Sequence, residues 1–132
     1  MIMKKVLFIC VENACRSQMA KGFFNSYSKK TLADSAGTQP AEKVDPVALK
    51  VMGEKDIDIS CYAPKMINFP ITKKYDFIVT MGCIDSCPVI PKKKTVEWDI
   101  ENPKGKNIVF YRMIRDKIED NVGKLINEVI WI

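Results

Sequence analysis

The 132-residue chain is 47% apolar, enough for one buried core, and is expected to form a single domain over residues 1–132. Its charge of +5 comes from scattered lysines and three arginines, a solvated surface with no nucleic-acid-binding motif, and no apolar run approaches the roughly 18 residues of a membrane span. There is no histidine, and five cysteines follow an opening whose apolar run is cut short by Glu12 and Asn13, which argues against Cys-His nucleophiles, most zinc sites, a signal peptide and a disulfide framework, and for a cytoplasmic protein without bound metal.

Residues 6–9 form the apolar run VLFI between lysines and a polar loop, the pattern of a strand buried on both faces of a parallel sheet. A helix is expected over residues 17–27, where Met19, Ala20, Phe23, Phe24 and Tyr27 recur at spacings of three and four. A second strand is expected over residues 31–36, ending at Gly37. Asp45 then supplies an N-cap, and Pro46 the first position, of a helix reaching about Lys55. Residues 77–80 read as a third strand and residues 95–98 as a short fourth. The segment 109–130 places Ile114, Ile118, Val122, Leu125, Ile126 and Val129 on one helical face. Strands alternating with helices imply an α/β fold, a doubly wound parallel sheet with flanking helices.

The chemistry concentrates between the first strand and the first helix, in Cys10-Val11-Glu12-Asn13-Ala14-Cys15-Arg16-Ser17. Loop amides and a helix N-terminus converge there and favour an anion, so Val11, Glu12, Asn13, Ala14, Cys15 and Arg16 form the candidate oxyanion-binding ring. Cys10, at the strand end inside that ring, is placed to have its thiolate stabilised. Arg16 can offer a planar guanidinium to two oxygens of the anion. Ser17 can hydrogen-bond the Cys10 sulfur when it leaves. The plainer reading makes Cys10 a buried strand-end thiol. The Cys-x5-Arg-Ser spacing in a strand-to-helix context favours the nucleophile.

These residues resemble the loop of the low-molecular-weight tyrosine phosphatase superfamily, and the continuation Ser17-Gln18-Met19-Ala20 is similar to its arsenate reductase branch. Further similarity runs through Asp34-Ser35-Ala36-Gly37, residues 56–60, residues 79–83, Cys87-Pro88 and residues 98–106. The resemblance implies a four-stranded parallel sheet with flanking helices, and Asn13 as a brace of the loop. It also implies arsenate as substrate, phosphate and sulfate as competing anions, no bound cofactor, and an external thiol reductant, thioredoxin or, as in some members, a small-molecule thiol.

Cys83 and Cys87 follow the third strand, whose C-terminal end belongs at the same sheet edge as Cys10. On a helix they would share one face about 6 Å apart, within disulfide reach. The expected reaction is a relay in which Cys10 attacks arsenate and Cys83 then attacks the Cys10 sulfur, expelling arsenite. Cys87 next attacks Cys83, and the external dithiol reduces the Cys83–Cys87 disulfide. A metal half-site or two buried thiols are the plainer alternatives for this pair. Cys15 shapes the loop and can pair with Cys10 under oxidation, whereas Cys61 has no expected role.

Members of the superfamily hold an aspartate before a proline late in the chain to protonate the leaving oxygen. Here that position is Asn102, before Pro103, so Glu101 or Asp99 is the expected acid unless the step proceeds without one. Lys21 stands where many arsenate reductases carry a glutamate of a potassium site, and that ion is not carried over. Glu12 is expected to point to solvent. The favoured function is arsenate reduction. The alternatives are a phosphatase acting through a phosphocysteine at Cys10, and a non-catalytic redox or oxyanion sensor.

Overall fold

The computed structural model describes residues 5–28, 31–68, 74–82 and 95–130. Four strands, β1 (Lys5–Cys10), β2 (Leu32–Gly37), β3 (Phe77–Met81) and β4 (Thr95–Trp98), form one sheet in the order β2-β1-β3-β4, with every pairing parallel. Among the described residues three helices accompany them: α1 (Arg16–Tyr27), α2 (Pro46–Gly53) and, after β4, α3 (Ile108–Ile130). Each parallel pairing needs a crossover, which explains why β1 lies in the middle of the sheet although it comes first in the chain.

Central position accounts for the composition of β1, in which every residue after Lys5 is buried. Side chains of a strand alternate between faces. Val6, Phe8 and Cys10 accordingly join one large core with Met19, Phe23 and Phe24 of α1, Val51 and Met52 of α2, and Ile118 and Val122 of α3. Leu7 and Ile9 face the other way and pack with Ala36, Ile78, Ile67 and Tyr75. On α3, Ile114, Ile118, Val122 and Leu125 are buried, at about 1.5–3 kcal/mol for each fully buried side chain. The side chain of Val129 lies outside the described residues. Among those residues no helix is long and apolar enough to cross a membrane.

Element ends follow local chemistry. The Asp45 carboxylate accepts the Val47 amide at 2.8 Å, with Pro46 opening α2 as its fixed φ allows. α2 closes at Gly53, two residues before the expected end, and residues 54–56 continue as a turn. Asn107 accepts the Phe110 amide at 2.9 Å and so satisfies a first-turn donor of α3, which begins one residue earlier than expected.

Two charged clusters tie the layers together. Asp34 of β2 pairs with Lys21 of α1 and with Lys65, and accepts the Tyr75 hydroxyl at 3.2 Å. The Lys21 ammonium also lies over the Tyr62 ring, 4.0 Å from its centre. Between α2 and α3, Glu54 receives Arg112 through Nε at 3.0 Å and Nη2 at 2.7 Å, and Arg115 through Nη1 at 2.7 Å.

Candidate active site

The carboxyl end of β1 runs into the loop of residues 10–16, and the direction of its peptide groups can be derived from their partners. The Val11, Glu12 and Ala14 carbonyls accept the amides of Gln39, Ala41 and Asp45 at 2.8, 2.9 and 2.8 Å. The Asn13 carbonyl accepts Gln18 Nε2 at 2.9 Å, and the Cys15 carbonyl accepts the Met19 amide at 2.9 Å. In a trans peptide unit the N–H points opposite to the C=O. Five outward carbonyls therefore turn the amides of Glu12, Asn13, Ala14, Cys15 and Arg16 toward the concave side of the loop. Such a nest of amides, at the start of a helix, favours negative charge.

Asn13 makes that turn possible. Its φ of 52° is left-handed, which asparagine tolerates better than most side chains. Its Oδ1 accepts the Lys65 amide at 2.9 Å and its Nδ2 donates to Ser17 Oγ at 2.6 Å. Ser17 Oγ in turn lies 3.0 Å from Cys10 Sγ. Ser17 accepts from Asn13 and keeps its own proton, which it can donate to the sulfur once Cys10 is a thiolate. Cys10, Asn13 and Ser17 are all buried.

Arg16 opens α1 and is 5% exposed, a degree of burial that a guanidinium tolerates only with partners. Its Nη1 donates to the Ile100 carbonyl at 3.1 Å. Gly82, just after β3, has a φ of 75° and leaves no room for a Cβ beside Arg16 Nη1. Gly37 performs the same service for the loop: a Cβ there would lie 2.6 Å from the Val11 carbonyl oxygen and 2.9 Å from Asn13 Cβ. Three strand ends thus converge on the loop.

Cys10, Ala14, Cys15 and Arg16 line a small cavity, together with Glu12, Asp45, Asn102 and Lys104. Burial pushes the Cys15 thiol well up, helped by the negative charges of Asp45, Cys10 and Glu12, so Cys15 stays protonated. Glu12 stands at the solvent-reached rim, where Lys104 Nζ reaches its carboxylate at 2.7 and 3.1 Å, so the loop carboxylate is offset by an ion pair.

Neither expected acid enters this cavity. Asp99 and Glu101 are exposed, and the Asp99 carbonyl accepts Lys117 Nζ at 2.7 Å. Asn102 is the lining residue, with its Oδ1 accepting the Lys104 amide at 3.1 Å. Asp45 and Lys104 are the site residues that the sequence reading missed. In the sequence Asp45 has a sufficient explanation as a helix cap, and nothing in the spacing ties residues 45 and 104 to the loop. Cys61 is exposed, and Cys83 and Cys87 lie outside the described residues.

A parallel sheet whose first strand ends in this loop, with an arginine closing the ring around a buried cysteine, defines the α/β class built on a strand–loop–helix cysteine motif. The chain belongs to the low molecular weight phosphotyrosine protein phosphatase family, whose pattern matches residues 5–130. It is 41% identical over 125 residues to arsenate reductase 1 of Staphylococcus epidermidis, covering 88% of this chain and 90% of that protein. The structure is similar to that of an arsenate reductase from Archaeoglobus fulgidus, with a TM-score of 0.80 and 36% identity over 92% of this chain and 98% of that one. It is also similar to a thioredoxin-dependent arsenate reductase of Corynebacterium glutamicum, with a TM-score of 0.84 and 32% identity over 98% of this chain and 63% of that one.

Proposed function

We propose that the protein is an arsenate reductase in which Cys10 is the nucleophile and the loop amides with Arg16 hold the oxyanion. The observation that carries the reading is the buried Cys10 sulfur, 3.0 Å from a Ser17 hydroxyl oriented by Asn13, inside a loop whose amides turn inward. The relatives named arsenate reductase support the choice of substrate. Cys10 attacks arsenate, an oxygen leaves as water, and a thiol–arsenate adduct forms. Inward amides and Arg16 offset the charge that gathers on the oxygens.

Cys83 thiolate then attacks the Cys10 sulfur. The electron pair of the sulfur–arsenic bond passes to arsenic, arsenite leaves, and a Cys10–Cys83 disulfide remains. Cys87 attacks Cys83 and releases the Cys10 thiolate. An external dithiol reduces the Cys83–Cys87 pair and is oxidised in its place. Thioredoxin is the proposed dithiol, as in the similar Corynebacterium glutamicum protein.

A phosphocysteine phosphatase would use the same loop, and the family name favours keeping that reading in view. It needs a proton donor for an ester leaving group, and Asn102 at the cavity wall cannot supply one. The test is quantitation of arsenite formed from arsenate by reduced protein, beside hydrolysis of nitrophenyl phosphate. Arsenite from the wild type and none from Cys10→Ser is the expected result. Ester hydrolysis without arsenite would replace the reductase by a phosphatase.

A further inference from the structure

We propose that Asp45 makes the cavity selective for tetrahedral oxyanions that still carry a proton, and against those that carry none. The inference deepens the reading of the residue 10–16 loop as an oxyanion site and rests on it. A second carboxylate lining an anion cavity is, at first sight, misplaced. Glu12, the other one, is neutralised by Lys104 at 2.7 Å, whereas Asp45 has no ion-pair partner among the described residues.

Asp45 is also built in place rather than left loose. Its amide donates to the Ala14 carbonyl of the loop at 2.8 Å. Its Oδ1 accepts the Val47 amide at 2.8 Å and its Oδ2 accepts the Tyr111 hydroxyl at 2.5 Å. Tyr111 is 3% exposed, and burial with the Asp45 hydrogen bond pushes its phenol far up, so it remains the donor of that pair. The carboxylate is thus held as an acceptor by two donors while it lines the cavity, and each of its oxygens keeps acceptor capacity beyond the one bond it accepts.

An ionised carboxylate accepts hydrogen bonds and donates none. Hydrogenphosphate and hydrogenarsenate bring an O–H to it at neutral pH, and sulfate brings only oxygens. The protonated ions therefore gain a charge-assisted hydrogen bond where sulfate meets repulsion from the carboxylate. That is discrimination by an element placed against the competitor as much as by a contact with the favoured ligand. Loop amides and Arg16 alone would hold all three ions alike.

The experiment uses the full, reduced chain and two unreactive probes, inorganic phosphate and sulfate. Their protection of Cys10 against iodoacetamide at pH 7 is read by mass spectrometry of the Cys10 peptide. Wild type should bind phosphate about tenfold or more tighter than sulfate, the scale of one hydrogen bond to a charged group. Asp45→Asn keeps a capping oxygen for α2 but turns an acceptor into a donor on the cavity side, and should reduce that ratio to about threefold or less. Asp45→Ser, which also caps, should lower the ratio in the same direction, and thermal melts report whether both variants stay folded. An unchanged ratio in both variants overturns the proposal and leaves Asp45 as a helix cap. Loss of arsenite formation with the ratio intact also overturns it, and makes Asp45 a proton donor instead. If neither ion protects wild-type Cys10, the oxyanion reading of the loop fails first and the proposal falls with it.

Discussion

Ser17 Oγ faces Cys10 Sγ at 3.0 Å and takes its own orientation from Asn13 Nδ2 at 2.6 Å. A hydroxyl so fixed acts on the sulfur and not on the anion. Ser17→Ala should therefore lower kcat for arsenite formation by about tenfold, the value of one hydrogen bond to a charged group, with little change in KM for arsenate. Steady-state kinetics of the variant give both numbers. A rise in KM at constant kcat would mean that Ser17 serves binding.

Gly82 sits against Arg16 with a left-handed backbone. Gly82→Ala pays for that backbone with about 1–2 kcal/mol of stability and, in addition, pushes the Arg16 guanidinium from its seat on the Ile100 carbonyl. Urea unfolding should report the first effect. A raised KM for arsenate should report the second, because Arg16 is the proposed clamp on the oxygens.

Glu54 couples α2 to α3, and its carboxyl is held down to about 2 from an ordinary 4.5, first by the Arg112 hydrogen bonds and then by Arg115. A carboxyl depressed on folding contributes stability above its unfolded value and loses it as pH falls through the folded one. The stability difference between wild type and Glu54→Gln should therefore be constant above about 4.5 and shrink toward zero by about 2. Chemical denaturation across that range checks it. A difference that persisted at the acid end would assign the effect to packing.

Glu12 and Lys104 pair at the rim, where solvent screens them. Glu12→Gln should change arsenite formation by no more than about twofold at physiological salt, as for other exposed pairs. A severe loss would show that the carboxylate takes part in the reaction.

Much of this architecture could be read from local pattern. The VLFI run announced a strand buried on both faces, and Asp45-Pro46 announced the start of α2 because capping depends on neighbouring residues alone. The Cys10, Asn13, Arg16 and Ser17 constellation was legible for the same reason, being packed into one turn of chain. What spacing could not convey was the approach of distant segments. Lys104 reaches Glu12 across 92 positions, Tyr111 reaches Asp45 across 66, and the Ile100 carbonyl seats Arg16 across 84. The expected acids at Asp99 and Glu101 failed to reach the cavity for that reason: adjacency to Asn102 in sequence does not carry them to its side of the loop.

The relay at Cys10, Cys83 and Cys87 is the central claim, and NADPH consumption by thioredoxin reductase and thioredoxin with this protein and arsenate tests it most directly. Arsenate-dependent turnover in the wild type, abolished in Cys10→Ser and Cys83→Ser and limited to about one arsenite per chain in Cys87→Ser, is the predicted result. Sustained turnover of Cys87→Ser, or phosphate ester hydrolysis with no arsenate-dependent consumption at all, would contradict it.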